Sequence, residues 1–183
     1  MPWKSHEMSL DGFCIGIQPV GEINPVYLKI LAGSFLGELR IRTSILPPLD
    51  YPEYAFDKRR IQYNAGTIIS RLETMEFKGC NVVLVLIDDD LFIPVFSFVL
   101  GEARMGGKCA LVSLFRLQQN PARVAKVGLH EFGHLMNLDH CHDKTCVMKF
   151  SKDLLQLDSI SGIFCKYCLD QINYAIRQKT VRP

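Results

Sequence analysis

Almost no net charge separates the two signs in this sequence: 21 Lys and Arg stand against 19 Asp and Glu, a formal charge of +2. Basic residues are scattered, with only short pairs such as Arg59-Arg60. The electrostatic footprint of a DNA- or RNA-binding surface is therefore missing. Long apolar runs are missing too. The most apolar, Val82 to Ile87, stops at Asp88-Asp89-Asp90 and is far too short to span a bilayer. The N-terminal MPWKSHEMSLDG lacks the apolar stretch of a secretion signal, and no inhibitory pro-segment is apparent before the first expected strand. A cytoplasmic protein with neither membrane nor nucleic-acid partners is the expectation. No repeat or low-complexity linker interrupts the 183 residues, so one domain, 1–183, is expected. An apolar share of 48% with 22% charged residues is that of a globular chain. A monomer is the expected state.

Cysteine, by contrast, is plentiful, with seven residues. In a reducing compartment clustered cysteines read better as metal ligands than as disulfides.

The pattern of elements predicts an α/β fold. A mixed β-sheet is packed with helices, and a smaller, mostly helical C-terminal part follows an active-site helix. Phe13 to Val20 reads as a first strand. Asn24 to Leu39 reads as a helix, with Asn24 as N-cap and Pro25 in the first turn. Arg40 to Leu46 alternates as a half-buried strand does, and Pro47 to Pro52 is a loop. Asn64 to Glu76 suggests a second helix closed by Gly79. Asn81 to Ile87, continuous and β-branched, reads as a central strand buried on both faces. Strands are expected near Val95 to Leu100 and Ala110 to Phe115, with a flexible loop, Gly101 to Gly107, between them. Asn120 and Pro121 open a helix through His134. Leu154 to Ile163 and Phe164 to Gln178 read as the last helices. Asp88, Asp89 and Asp90 suit a solvated turn or helix cap. Cys14, Cys80 and Cys109, at or beside strands, suit the core. His6 falls in a loose N-terminal arm.

The chemistry concentrates after residue 129, in HEFGHLMNLDHCHDKTCVM. His130 and His134 lie slightly more than one helical turn apart, so both imidazoles leave one face. Ala125, Leu129, Phe132 and Met136 form an apolar stripe on another. Two imidazoles on one helix suit Zn2+, and His140 can supply a third ligand, leaving a position open for catalysis. His140 reaches the metal only if the chain turns sharply, and Asn137 is a residue that tolerates the left-handed conformation such a turn needs. Glu131 points partly off the ligand face, where it suits a general base acting on a zinc-activated water. Cys141 and Cys146, with the later pair Cys165 and Cys168, have the spacing of a closed, structural zinc site. His142 is a rival ligand there.

HEFGHLMNLDH resembles the metzincin signature of zinc peptidases. The resemblance implies that Met148 is the Met-turn methionine, an apolar floor beneath the metal. Two departures stand out. Asn137 replaces the usual glycine, and Phe150 lacks the hydroxyl of the tyrosine that some branches carry there. With the four cysteines added, the pattern resembles that of archaemetzincins. Leu86 to Gly101 (LIDDDLFIPVFSFVLG) and Ala110 to Leu117 (ALVSLFRL) resemble the stretches before that family's active-site helix. The resemblance implies a zinc metallopeptidase with a metzincin-like fold, two Zn2+ ions, and a peptide or protein substrate laid along a sheet edge near Val95 to Leu100. It places the sheet and active-site helix in an N-terminal subdomain, 1–136. The Met-turn and four-cysteine site fall in a C-terminal one, 137–183. The cysteine-bound metal is expected to preorganise the histidine site. Two rival readings are a zinc-containing peptide-binding protein of the same fold with little or no activity, and a nucleic-acid module using the cysteine-bound zinc. Near-neutral charge argues against the second rival.

Overall fold

The computed structural model describes residues 12–181, so His6 lies outside them. β1 (Ile15–Pro19) leads into α1 (Pro25–Leu39), followed by β2 (Thr43–Ile45). Short strands β3 (Phe56–Asp57) and β4 (Gln62–Asn64) precede α2 (Ala65–Leu72). Then come β5 (Val82–Ile87), β6 (Leu91–Ile93), β7 (Phe96–Val99), β8 (Gly101–Ala103) and β9 (Cys109–Ser113). Three helices complete the chain: α3 (Pro121–Leu135), α4 (Leu154–Ser159) and α5 (Lys166–Val181).

The first three helices start alike. Asn24, Asn64 and Asn120 each turn a side-chain oxygen onto an amide of the first turn, filling an acceptor role the helix cannot meet itself. Pro25 and Pro121 open α1 and α3, where a missing N–H leaves no bond unmade.

The main sheet runs in the order β2-β1-β5-β9-β8. All its pairings are parallel except the last, where β8 lies antiparallel to β9. Side chains on β5 alternate between faces. Val82, Leu84 and Leu86 join the core beneath α1 and α3, while Val83, Val85 and Ile87 join the core beneath α2. Burial on both sides is why this strand is apolar throughout. A second sheet, β3-β4-β6-β7, leans on the first. Helix α3 crosses α1 closely because Gly128 has no side chain. A Cβ there would stand 2.2 Å from Leu31 Cδ2.

The mixed α/β architecture agrees with the expectation, while several local assignments change. Gly101 to Ala103 is not loop but the edge strand β8, glycine-initiated and too short to show a pattern. The Arg40–Leu46 strand shrinks to β2, because Arg40 is the left-handed C-cap of α1 with φ 56°. The second helix stops at Leu72, and the Glu73 carboxylate instead accepts the Lys108 and Cys109 amides at 2.7 and 2.9 Å. The helix expected to reach Ile163 ends at Ser159. The final one begins at Lys166 and runs to Val181. Ala125 is only half-buried, and Val124 and Val127 take its place in the packed stripe. Asp90 is no solvated turn residue. It is buried, forms two 2.6 Å bonds with Arg116, and accepts from Gln62 at 2.9 Å. Arg116 in turn lies 4.2 Å from the Phe98 ring centroid, tying β7 to the start of the connection into α3.

Replacing Asn120 by Ala removes the cap of α3, and a loss of about 1 kcal/mol is expected. Urea denaturation should show a lower midpoint at unchanged slope. Asn120→Asp should stay close to the parent.

Candidate metal centre

Helix α3 ends in a reversal built on one residue. The Asn137 amide donates to the His134 carbonyl at 2.9 Å and the Leu138 amide to that of Gly133 at 3.0 Å. Asn137 itself has φ 65°. This is a Schellman turn with asparagine in the left-handed position, as its side chain permits. Gly106 steadies it by donating to the His134 carbonyl at 2.9 Å. The turn brings His140 back over the last turn of α3.

Each helical imidazole is anchored from behind. His130 Nδ1 lies 2.8 Å from the Val147 carbonyl, and His134 Nδ1 lies 2.8 Å from that of Leu138. A carbonyl only accepts, so both Nδ1 atoms carry the proton and both Nε2 atoms present lone pairs. These two Nε2 atoms face each other at 3.1 Å. With no hydrogen between them, the contact is repulsive unless a cation sits there. Tetrahedral zinc with bonds of about 2.0–2.1 Å sets its nitrogens about 3.3 Å apart, so the pair fits. His140 completes the set, with ligand atoms of all three residues within 4.8 Å of one another. Its ring meets Phe150 edge-on at 5.1 Å. Burial, followed by the charge of His134, lowers His130 to about 4; burial lowers His134 and His140 as well. Neutral imidazole, the ligand form, is thus favoured.

Glu131 is buried beside this trio, and burial, then Glu102, raises its pKa well above the usual carboxylate range. Gly101 makes its position possible. A Cβ on Gly101 would stand 2.6 Å from Glu131 Oε1 and 2.7 Å from its Cγ. Gly133 does the same for Met148, which is fully buried: a Cβ there would come within 2.2 Å of the sulfur. A cleft of about 610 Å3 opens over Glu131 and the histidines. Its walls include β7, β8, Val127, Phe150, Leu157 and Ile160. The sheet edge beside Glu131 is therefore β8. The expected strand near Val95 to Leu100 borders the cleft as the edge of the second sheet.

The four cysteines also converge, with ligand atoms within 4.8 Å of one another. Cys141 and Cys165 sulfurs are 3.8 Å apart. That is too far for a disulfide and matches the separation of about 3.8 Å implied by Zn–S bonds of about 2.3 Å. The Cys165 amide donates to Cys146 Sγ at 3.3 Å and the Asp143 amide to Cys141 Sγ at 3.4 Å, contacts that suit thiolates. Burial pushes Cys146 and Cys168 up, whereas at Cys165 burial is outweighed by bonds from the Cys168 amide and the neighbouring thiols, which hold it lower. His142 is exposed and outside both clusters.

The pattern pointed to the seven side chains that converge in the two clusters, to Glu131, Met148 and Asn137. It did not reveal the Val147 and Leu138 carbonyls, nor the space left by Gly101. Backbone acceptors have no sequence signature. The one signal for Gly101 was a glycine at the start of a presumed loop.

Three converging imidazoles, two of them with opposed lone pairs, suit a divalent cation such as zinc, and a carboxylate beside them suits hydrolysis. The class is a zinc-dependent hydrolase on a mixed α/β scaffold. The model of Peptidase family M54 matches residues 37–174. The archaemetzincin of Methanocaldococcus jannaschii is 37% identical over 169 residues, covering 86% of this chain and 92% of that protein. The crystal structure of the archaemetzincin from Methanopyrus kandleri superposes with a TM-score of 0.81 at 30% identity, covering 90% of this chain and 96% of that one. That from Archaeoglobus fulgidus, solved with malonate, gives a TM-score of 0.77 at 31% identity, covering 87% and 99%. The chain belongs to the archaemetzincin family and is a zinc metallopeptidase acting on peptides or proteins. Among the described residues no helix is long and apolar enough to cross a membrane.

Gly101→Ala should force the Glu131 carboxylate out of place. Peptide hydrolysis is expected to fall at least about tenfold, with metal content per chain unchanged by elemental analysis.

Proposed function

We propose that His130, His134 and His140 hold a catalytic zinc, that Glu131 is the general base, and that Cys141, Cys146, Cys165 and Cys168 hold a second, structural zinc. The observation that carries this reading is the opposed pair of Nε2 atoms at 3.1 Å, with His140 close by and Glu131 lining the same cleft. Zinc, when bound, supplies a Lewis acid that polarises the substrate carbonyl and acidifies an attacking water. Glu131 takes the proton from that water and delivers it to the leaving amine. The Val147 and Leu138 carbonyls keep His130 and His134 in the ligating tautomer. Met148 floors the site as in metzincins, the clan in which we place the chain. Asn137 marks the boundary between its subdomains, 1–136 and 137–183. Seven cysteines with no disulfide between them suit the reducing cytoplasm.

The cysteine site supports the histidine site through the chain itself. Cys141 follows His140 directly, and its amide donates to the Met148 carbonyl at 2.9 Å. Cys146 precedes Val147, the acceptor of His130. Two of the three histidines are thus tethered to the thiol cluster.

Glu131→Gln should lower peptide cleavage by about 10²–10⁴-fold with zinc content intact, measured against a peptide library. A wild-type protein that binds library peptides without cutting any would instead favour the binding-only reading. Cys165→Ser with Cys168→Ser should remove one zinc per chain and weaken the remaining one about tenfold or more in chelator competition. Unchanged affinity at the histidines, with a stable fold, would end the proposed coupling.

A further inference from the structure

We propose that Cys14 and Cys80 form an oxidant-responsive modification site, closing to a disulfide under a peroxide-class oxidant. Four of the seven cysteines belong to the thiol cluster. Cys109 is fully buried in β9, where burial pushes it up to about 12. That leaves Cys14 and Cys80, which the metal sites do not use.

These two residues are 66 positions apart in the chain, and their sulfurs stand 3.7 Å apart. The backbone holds them there. The Asn81 amide donates to the Cys14 carbonyl at 2.9 Å, and the Asn81 side-chain oxygen accepts the Cys14 amide at 2.9 Å. The β1–β5 pairing begins at the next step, Ile15 against Val82. The two backbone positions cannot separate without opening the start of the β1–β5 pairing. Cys14 Sγ also lies 3.4 Å from Ser44 Oγ. Gly16 leaves room for the Cys80 sulfur, since a Cβ there would stand 3.2 Å away. Both thiols are half-buried, within reach of a small oxidant.

The chemistry balances with peroxide as the electron acceptor. One thiol is oxidised to a sulfenic acid as the O–O bond breaks, releasing water from hydrogen peroxide. The second sulfur attacks the sulfenic sulfur, the S–S bond forms, and a second water leaves. Burial, then contact with Cys14, pushes Cys80 up to about 11, which keeps it protonated near neutral pH. The bond would staple β1 to β5 and close the loop carrying α1 and α2, restricting the unfolded chain.

The test treats zinc-loaded protein with hydrogen peroxide and maps unreduced peptides by mass spectrometry. We expect a Cys14–Cys80 cross-link with both zincs retained. Tm should rise by about 5 °C, reversed by dithiothreitol and absent in Cys14→Ser and Cys80→Ser. A first disulfide within the thiol cluster would overturn the proposal. So would Cys14 and Cys80 still open to alkylation after the cluster has oxidised. Peptide mapping of the wild type decides the matter even if a variant folds poorly.

Discussion

Two backbone carbonyls decide which nitrogens face the cleft. Val147 and Leu138 each accept the Nδ1 proton of a helical histidine, and so aim two Nε2 lone pairs at one point. The orientation of both helical imidazoles follows from keeping those carbonyls in place. Leu138 is positioned by the turn that ends α3, and Val147 by the segment between Cys146 and Met148. The ligand geometry is therefore a property of two chain reversals rather than of the helix alone.

Absent side chains matter as much as present ones. Gly128 lets α1 approach α3, Gly133 lets Met148 lie against α3 below the histidines, and Gly101 lets Glu131 lie against β8. A methyl group in the same place would force each of these neighbouring side chains to shift. The apolar core and the site share these contacts, so the packing that stabilises α3 also orients its polar face. Arg123 bonded to Asp158 at 2.7 and 2.9 Å, with Lys126 reaching the Leu157 carbonyl at 2.9 Å, extends this to α4 and so to the cleft wall. Arg116, Asp90 and Phe98 do the same for the opposite wall.

The thiol cluster lies at the far side of the same loop. Four sulfurs this close repel when ionised, so they ask for a cation as the imidazoles do. Cys141 abuts His140 and Cys146 abuts Val147, so single peptide units join the two clusters. Phe150 adds an apolar contact at His140, the most exposed of the three imidazoles, where a ring edge stands in place of the carbonyls that anchor its partners.

Periodicity and spacing alone pointed to the two clusters of histidines and cysteines, to Glu131 beside the first, to the central strand β5 and to the need for a left-handed residue at Asn137. Those features are local: a helix puts residues four apart on one face, and a strand buried on both sides must be apolar throughout. Tertiary structure alone decided the rest. β8 is too short to carry a pattern, and the ion pair of Asp90 depends on a partner that the chain order does not bring near. The carbonyl anchors, the room beside Gly101 and the meeting of Cys14 with Cys80 arise between segments distant in sequence. Such contacts are set by how the layers pack, and backbone atoms, identical in every residue, leave no trace in the order of side chains.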